Sequence, residues 1–248
     1  MFMKLSVFNL NGWLFHSWSR KSKDNGLRFD ILATYLSRLK PDFITLQEFW
    51  SQSYVKRLAK ALRTYHVAKS DSPFYFNKSG LVTLSAFEPE SVKCSIFPIT
   101  DNHNRHERLG KKGFIQTKYV LGDEVISLFN THLYSPENQT EEEINLDQFE
   151  KIKRAADKCD ISIIAGDLNM PLEKILEVNG GYQHSGNEDH TFCPTNPYVS
   201  NNEKGKKIDY VLTKSQRELS LSIDTKRVTR PVMSDHYALS AEIMYDDL

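Results

Sequence analysis

Two rhythms of apolar residues interleave along this chain, one of period two and one of period four. The stretch "KLSVFNLN" alternates through Leu5, Val7 and Leu10, which predicts a strand. Between Asp24 and Lys40, the positions Leu27, Ile31, Tyr35 and Leu39 recur every fourth residue and predict a helix face that Pro41 ends. A short buried strand, "DFITLQE", follows. Ser51 then stands as the N-cap of a second helix carrying Val55, Leu58 and Leu62. "GLVTLSAF" reads as a strand, and "GFIQTKYVLGDEVISLFNTHL" as a hairpin turning near Gly122-Asp123. Thr140 with Glu143 forms a capping box for a helix whose apolar face is Leu146, Phe149, Ile152 and Ala156. "ISIIAGDLN" and "KIDYVLT" are buried strands, and two alternating strands close the chain.

Hairpins mixed with helices do not fit a plain βαβ parallel sheet. They predict an α/β (α+β) fold of four layers, two packed mixed β-sheets with helices on the outer faces. With no repeat, low-complexity tract or linker, residues 1–248 read as a single domain. Hydrophobic residues make up 40% and charged residues 26%, enough for a sizeable core in a soluble protein. Formal net charge is zero, so the chain lacks the global basic excess of a dedicated nucleic-acid binder. Cys94, Cys159 and Cys193 are odd in number and widely spaced, and read as reduced thiols. No leader-like segment and no apolar run of bilayer length is seen, so a soluble, cytoplasmic protein is expected.

Polar residues collect where the strands end. Asn9 and Asn11 share one face of an extended chain, as do Asn130 and His132, and Asp167 and Asn169. Glu48 ends "FITLQE", Asp209 lies early in "KIDYVL", and Asp235-His236 opens the last strand. Singly, each is an ordinary turn residue. As a set they supply the parts of a metal-assisted phosphodiester hydrolase. Carboxylates suit a hard divalent cation, amides ligate or donate to phosphoryl oxygens, and a histidine moves protons near neutral pH. No serine elbow, Walker loop or dinucleotide fingerprint competes.

In order, "FNLNGW", "LQEFW", "NTHL", "AGDLNM", "KIDYVL" and "SDHYAL" resemble the endonuclease/exonuclease/phosphatase superfamily over nearly the whole chain. Within it, "LQEFW", "KKGF", "GDLNM" and "HTFCPTNPYVSNNEKGKKIDYVL" are similar to the neutral sphingomyelinases. The resemblance implies a two-sheet sandwich with a metal site at one sheet edge. Glu48 is then the main Mg²⁺ ligand (Mn²⁺ or Co²⁺ being alternatives), with Asn9 and Asp235 beside it. Asn11 stands where many nucleases of the superfamily have an aspartate. Asp167 aligns or activates water, and Asn169 donates to a non-bridging oxygen. His236 is the general base, oriented by Asp209, and His132 stabilises phosphoryl oxygens or assists the leaving group. An unshifted histidine pKa near 6.5 favours His236 over Asp167 as the base.

The leading expectation for the substrate is sphingomyelin or a related choline phospholipid, met in transient contact with a membrane surface. No stable nucleic-acid partner is expected. A nuclease or a sugar- or inositol-phosphate phosphatase is the alternative, and a silent binding module is disfavoured because every expected position is filled. "NHNRHERLGKKGF", with His103 and His106, reads as a solvated loop. Trp13, Phe15 and Trp18 serve packing or a lipid interface, and Glu141, Glu142 and Glu143 form an acidic first helical turn.

Overall fold

The computed structural model describes residues 2–15, 23–70, 76–100, 103 and 105–247. Two mixed sheets stack face to face. The first, of six strands, runs β10 (Leu219–Val228), β11 (Ala238–Asp247), β1 (Met3–Leu14), β2 (Phe43–Phe49), β4 (Val82–Ser85), β3 (His66–Lys69). The second, of five, runs β5 (Ser91–Ile96), β6 (Gly113–Leu121), β7 (Glu124–His132), β8 (Ile161–Asp167), β9 (Asp209–Ser215). Each sheet has one parallel pair, β1·β2 and β7·β8, and is otherwise antiparallel.

Three apolar clusters separate four layers. One holds Phe8, Leu10, Ile44 and Leu46 against α1 (Asn25–Leu39) and α2 (Gln52–Ala61). The second lies between the sheets, with Leu5, Val7, Ile126, Leu128, Ile163 and Ala165. The third packs Phe129, Ile164 and Leu212 against α4 (Gln139–Ala156) and α5 (Leu172–Val178). The period-two alternation explains this division. Odd positions of β1 fill the inter-sheet layer and even ones meet the helices. Each large side chain so buried stabilises by ~1.5–3 kcal/mol relative to exposure.

The β6–β7 hairpin turns at Gly122-Asp123 as the sequence predicts. Leu121 pairs with Glu124, and Gly122 takes a positive φ of 64°.

Three local expectations are corrected. The buried face of α1 is Phe29, Leu32, Ala33 and Leu36, whereas Leu27 is 62% exposed and Leu39 39% exposed. A strict four-residue repeat drifts by about 40° per step around a helix of 3.6 residues per turn. Ile31 and Tyr35 therefore sit half-buried at the margin while the ends of the stripe swing into solvent. The cap of α4 is Asn138, not Thr140. Asn138 Oδ1 accepts from Glu141 N (3.1 Å), and Glu141 Oε2 accepts from Glu137 N (2.8 Å), a reciprocal arrangement two residues earlier. The stretch around "RHERLG" is a short helix, α3 (Arg105–Gly110), rather than a loop. His103 before it is buried, its Nδ1 accepting from Thr100 N (3.1 Å) and its ring edge-on to Tyr134. Trp13 is packed rather than free, its ring lying over Arg28 and against Tyr198, and Phe15 stacks on Trp50. Trp18 lies outside the described residues.

Candidate active site

The inter-sheet face that is apolar along most of each strand turns polar at one end. On β1, Leu5 and Val7 give way to Asn9 and Asn11; on β7, Ile126 and Leu128 to Asn130 and His132; on β8, Ile163 and Ala165 to Asp167. Register then aligns the chemistry across the sheet. His132 pairs opposite Asp167 on β8, and Asp167 opposite Asp209 on β9. Gly166 permits the close approach, since a Cβ there would stand 2.0 Å from the Thr131 carbonyl oxygen.

Glu48 enters by a different device. Ile44 and Leu46 face the helices, but so does Phe49, so the side-chain parity of β2 breaks at Glu48. Glu48 has φ 56°, a left-handed conformation that costs a non-glycine residue of order 1–3 kcal/mol and is found preferentially at functional sites. Asn169 is likewise left-handed, at φ 48°.

Asn11, Glu48, His132, Asp167, Asn169 and His236 line the floor of one cleft of about 1260 Å³. Asn11 Nδ2 donates to Asp167 Oδ2 (2.9 Å) and to Glu48 Oε1 (3.3 Å), joining two strands of different sheets. The Asn169 N–H donates to Asp167 Oδ1 (3.0 Å), and Asn169 Nδ2 to the Leu133 carbonyl (3.0 Å). Asp167 Oδ2 also faces His132 Nε2 at 3.5 Å and His236 Nε2 at 4.0 Å. His236 Nδ1 meets Asp209 Oδ2 at 2.8 Å. The segment after His190 supports this pair: Thr191 Oγ1 accepts from Asp209 N (3.2 Å), and the Phe192 ring lies 5.3 Å from the His236 ring. Asp235 sits beside the floor, accepting from Ser234 Oγ at 3.0 Å.

Asn9 is placed one step deeper than expected for a metal ligand. It is fully buried, with its amide oxygen accepting from Thr45 Oγ1 (2.8 Å) and Gln47 Nε2 (2.9 Å). Gln47 continues to Asn130 Oδ1 (2.8 Å), so Asn9 belongs to a polar network beneath the floor. The Asn11 amide oxygen accepts from Trp13 N (3.2 Å). The Asn9 oxygen is thus doubly engaged, whereas the Asn11 oxygen, with one donor, keeps a second lone pair, and the carboxylates of Glu48 and Asp235 are the charged oxygen donors.

Electrostatics agree with that division. Burial, then the charge of Asp235, pushes the Glu48 carboxyl up, and burial likewise raises Asp235. Two desolvated carboxylates that repel each other are what a divalent cation relieves, so the residues present fit one. Burial and the neighbouring Asp209 raise Asp167 to about 7. His132 is held neutral by burial and by the positive charges of Lys112 and His236. Although burial opposes it, Asp209, Asp167 and Asp235 hold His236 protonated well above the usual histidine range. The imidazole is thus not unshifted, which corrects the argument from an ordinary pKa. Asp167, Asp209 and His236 also lie close enough to share one ion, but the 2.8 Å His236–Asp209 contact reads as a hydrogen-bonded pair.

Lys112 escaped the sequence reading as an individual residue. It is buried in the cleft wall, donating to Leu133 O (2.7 Å) and Glu107 Oε1 (2.9 Å). Its signal lay in "KKGF", the stretch already singled out. Gln47 and Arg28 gave no signal of their own.

A two-sheet sandwich with carboxylates and imidazoles gathered at one edge is the build of a phosphoester hydrolase. Residues 8–236 match the endonuclease/exonuclease/phosphatase family, and the chain belongs to it. It is similar to a Drosophila melanogaster protein named "Putative neutral sphingomyelinase", 22% identical over 98% of this chain and 61% of that one. A Caenorhabditis elegans protein of the same name is 25% identical over 98% of this chain and 67% of its own length. The chain thus spans about two thirds of these relatives. Among solved structures, SmcL superposes with a TM-score of 0.78 at 19% identity, covering 98% of this chain and 99% of that one. Beta toxin from Staphylococcus aureus gives 0.78 at 17% identity, covering 96% and 99%. D. rerio TDP2 complexed with single strand DNA product gives 0.75 at 20% identity, covering 97% and 98%.

Proposed function

We propose that residues 1–248 form one divalent-cation-dependent phosphodiesterase domain that hydrolyses sphingomyelin or a related choline phospholipid to phosphocholine and a lipid alcohol. The observation that carries this reading is the mouth of the cleft. Phe76, Leu109 and Leu176, from three separate segments, line it while 53%, 73% and 51% exposed. Exposed apolar side chains grouped around a polar floor suit a lipid surface. The charged margin points the same way. Glu142, Glu173, Glu188 and Glu203 share the lining with Lys206 and Lys207, an acidic bias that repels a polyanionic strand and tolerates a quaternary ammonium. The names of the fly and worm relatives add support. Among the described residues no helix is long and apolar enough to cross a membrane.

In the proposed mechanism Glu48 and Asp235 hold the cation, Mg²⁺ in the first instance, which when bound polarises and neutralises the phosphoryl oxygens. Asp209 accepts from Nδ1–H of His236 and so leaves Nε2 facing the cleft, where it takes the proton of an in-line water. Asp167, fixed by Asn11 and the Asn169 N–H, orients that water. Asn169 and His132 face the equatorial oxygens, where negative charge builds in the transition state.

Purified protein with Mg²⁺ at neutral to alkaline pH should release phosphocholine from sphingomyelin micelles faster than it nicks plasmid DNA or dephosphorylates inositol phosphates. Robust DNA cleavage without phosphocholine release would transfer the assignment to the nuclease reading.

A further inference from the structure

The Asn-Pro-Tyr stretch at residues 196–198 and the buried arginine of α1 have no part in the mechanism above, yet both point at one segment. Arg28 is fully buried and satisfies its donors almost wholly with backbone. Nη1 donates to Gly12 O (2.8 Å) and Met233 O (3.2 Å), Nη2 to Trp13 O (2.8 Å) and Asn25 Oδ1 (2.7 Å), and Nε to Lys23 O (2.8 Å). The guanidinium lies 4.8 Å from the Trp13 ring and 5.5 Å from the Tyr198 ring. Asn196 Nδ2 donates to Ser234 O (2.9 Å), while Asn196 Oδ1 accepts from Tyr198 N (3.0 Å).

The carbonyls of Met233 and Ser234 are consecutive, and each is held by a different buried donor. The next residue is Asp235. Ser234 Oγ, in the same segment, donates to Asp235 Oδ1 and accepts from His236 N (3.3 Å). On its other side Arg28 holds the backbone immediately after Asn11. A buried guanidinium is expensive to desolvate, and no carboxylate touches it among its described contacts. Ordinary packing would be served more cheaply by an apolar residue of similar volume. What the fork supplies is fixed geometry between chain segments that are far apart in sequence.

We infer that Arg28 and the Asn196-Pro197-Tyr198 turn are positioning residues that lock the backbone at 233–234 and so set the Asp235 carboxylate for cation binding. This rests on the cation-binding reading above. Residues that orient a ligand from behind typically influence metal affinity by 10–100-fold.

The test is cation affinity in full-length protein. Mn²⁺ binding is followed by electron paramagnetic resonance, with Mg²⁺ as competitor, for wild type, Arg28→Lys, Asn196→Ala and the remote core control Ile152→Val. Asn196→Ala and Arg28→Lys should bind about tenfold or more weakly. Ile152→Val, which only destabilises, should keep wild-type affinity while lowering the melting temperature. Asn196 is buried but belongs to a turn outside the sheets and helices, so Asn196→Ala keeps the test decisive if Arg28→Lys fails to fold. Wild-type affinity in Asn196→Ala overturns the positioning role. Absence of saturable binding in wild type overturns the cation reading, and this inference with it.

Discussion

His236 Nδ1 lies 2.8 Å from Asp209 Oδ2, and Asp209 stands directly opposite Asp167 in the β8·β9 register. A single strand pairing therefore couples the imidazole to two carboxylates. His236→Ala should lower kcat by roughly 10²–10⁴-fold, the usual cost of losing a general base. Asp209→Ala should reproduce much of that loss, and the double variant should be little worse than either single one. Steady-state kcat of the three proteins checks this. Full multiplication of the two effects would separate the residues functionally.

The same contact sets a pH dependence. Asp209 is foremost among the carboxylates that raise the His236 pKa, and only neutral Nε2 accepts a proton. Activity should rise with pH on the alkaline side of the ordinary histidine range. Asp209→Asn should move that rising limb to lower pH while reducing the plateau. A limb unmoved in Asp209→Asn would assign it to another group.

Without cation, the floor should be less stable as pH rises. The Asp167 pKa is raised from 3.8 to about 7 in the folded state, and that of His236 is raised too. Both groups bind protons more tightly folded than unfolded. Their contribution is complete at acidic pH and is lost as pH climbs through the folded values, from about 4 to 7 for Asp167. Mg²⁺ should offset the resulting repulsion, so its stabilising shift in melting temperature should be larger at pH 8 than at pH 5.5. Equal shifts at both values would disconnect the cation from these carboxylates.

Glu48→Gln follows from the same balance. It should abolish turnover and weaken Mg²⁺ binding, yet leave the metal-free melting temperature at pH 8 unchanged or slightly raised. The variant removes a charge that burial and Asp235 already disfavour. Calorimetric melting with and without Mg²⁺ measures both effects.

How far the sequence disclosed this site depended on the range of the interactions involved. Strand periodicity put Asn11, His132 and Asp167 at strand ends because alternation is a local property, and Gly122-Asp123 declared its turn for the same reason. Asn169, in contrast, lies beyond the end of β8 with φ 48° and not on an extended face with Asp167. Spacing alone, however, does not say which atom of an amide is free. Asn9 and Asn11 both lie on the inter-sheet face, but Gln47 and Thr45 fill the Asn9 oxygen, whereas the Asn11 oxygen has only the Trp13 N–H. Arg28 looked like an ordinary helix residue because its partners at Gly12, Trp13 and Met233 are assembled only by the fold. On α1, the buried face followed spacings of three and four together, as a helix of 3.6 residues per turn requires, and the regular stripe of four did not.

The rim separates a lipid enzyme from one acting on soluble esters. Leu109 on α3 and Leu176 on α5 are exposed on different walls of the cleft mouth, so substitutions there remove little intramolecular packing. Exposed replacements of this kind usually change stability by less than about 0.5 kcal/mol. Transfer of a leucine side chain out of water contributes ~1.5–3 kcal/mol, so two inserted leucines supply ~3–6 kcal/mol of surface binding at most. Since about 1.4 kcal/mol is tenfold in an equilibrium, Leu109→Ser with Leu176→Ser should reduce turnover of sphingomyelin in vesicles by at least tenfold. Turnover of a soluble chromogenic phosphocholine ester should fall far less, because the floor from Glu48 to His236 is untouched. Vesicle sedimentation should show the same loss as weakened partitioning. Equal losses on the vesicle and soluble substrates would show that the rim serves the chemistry itself and not the lipid surface.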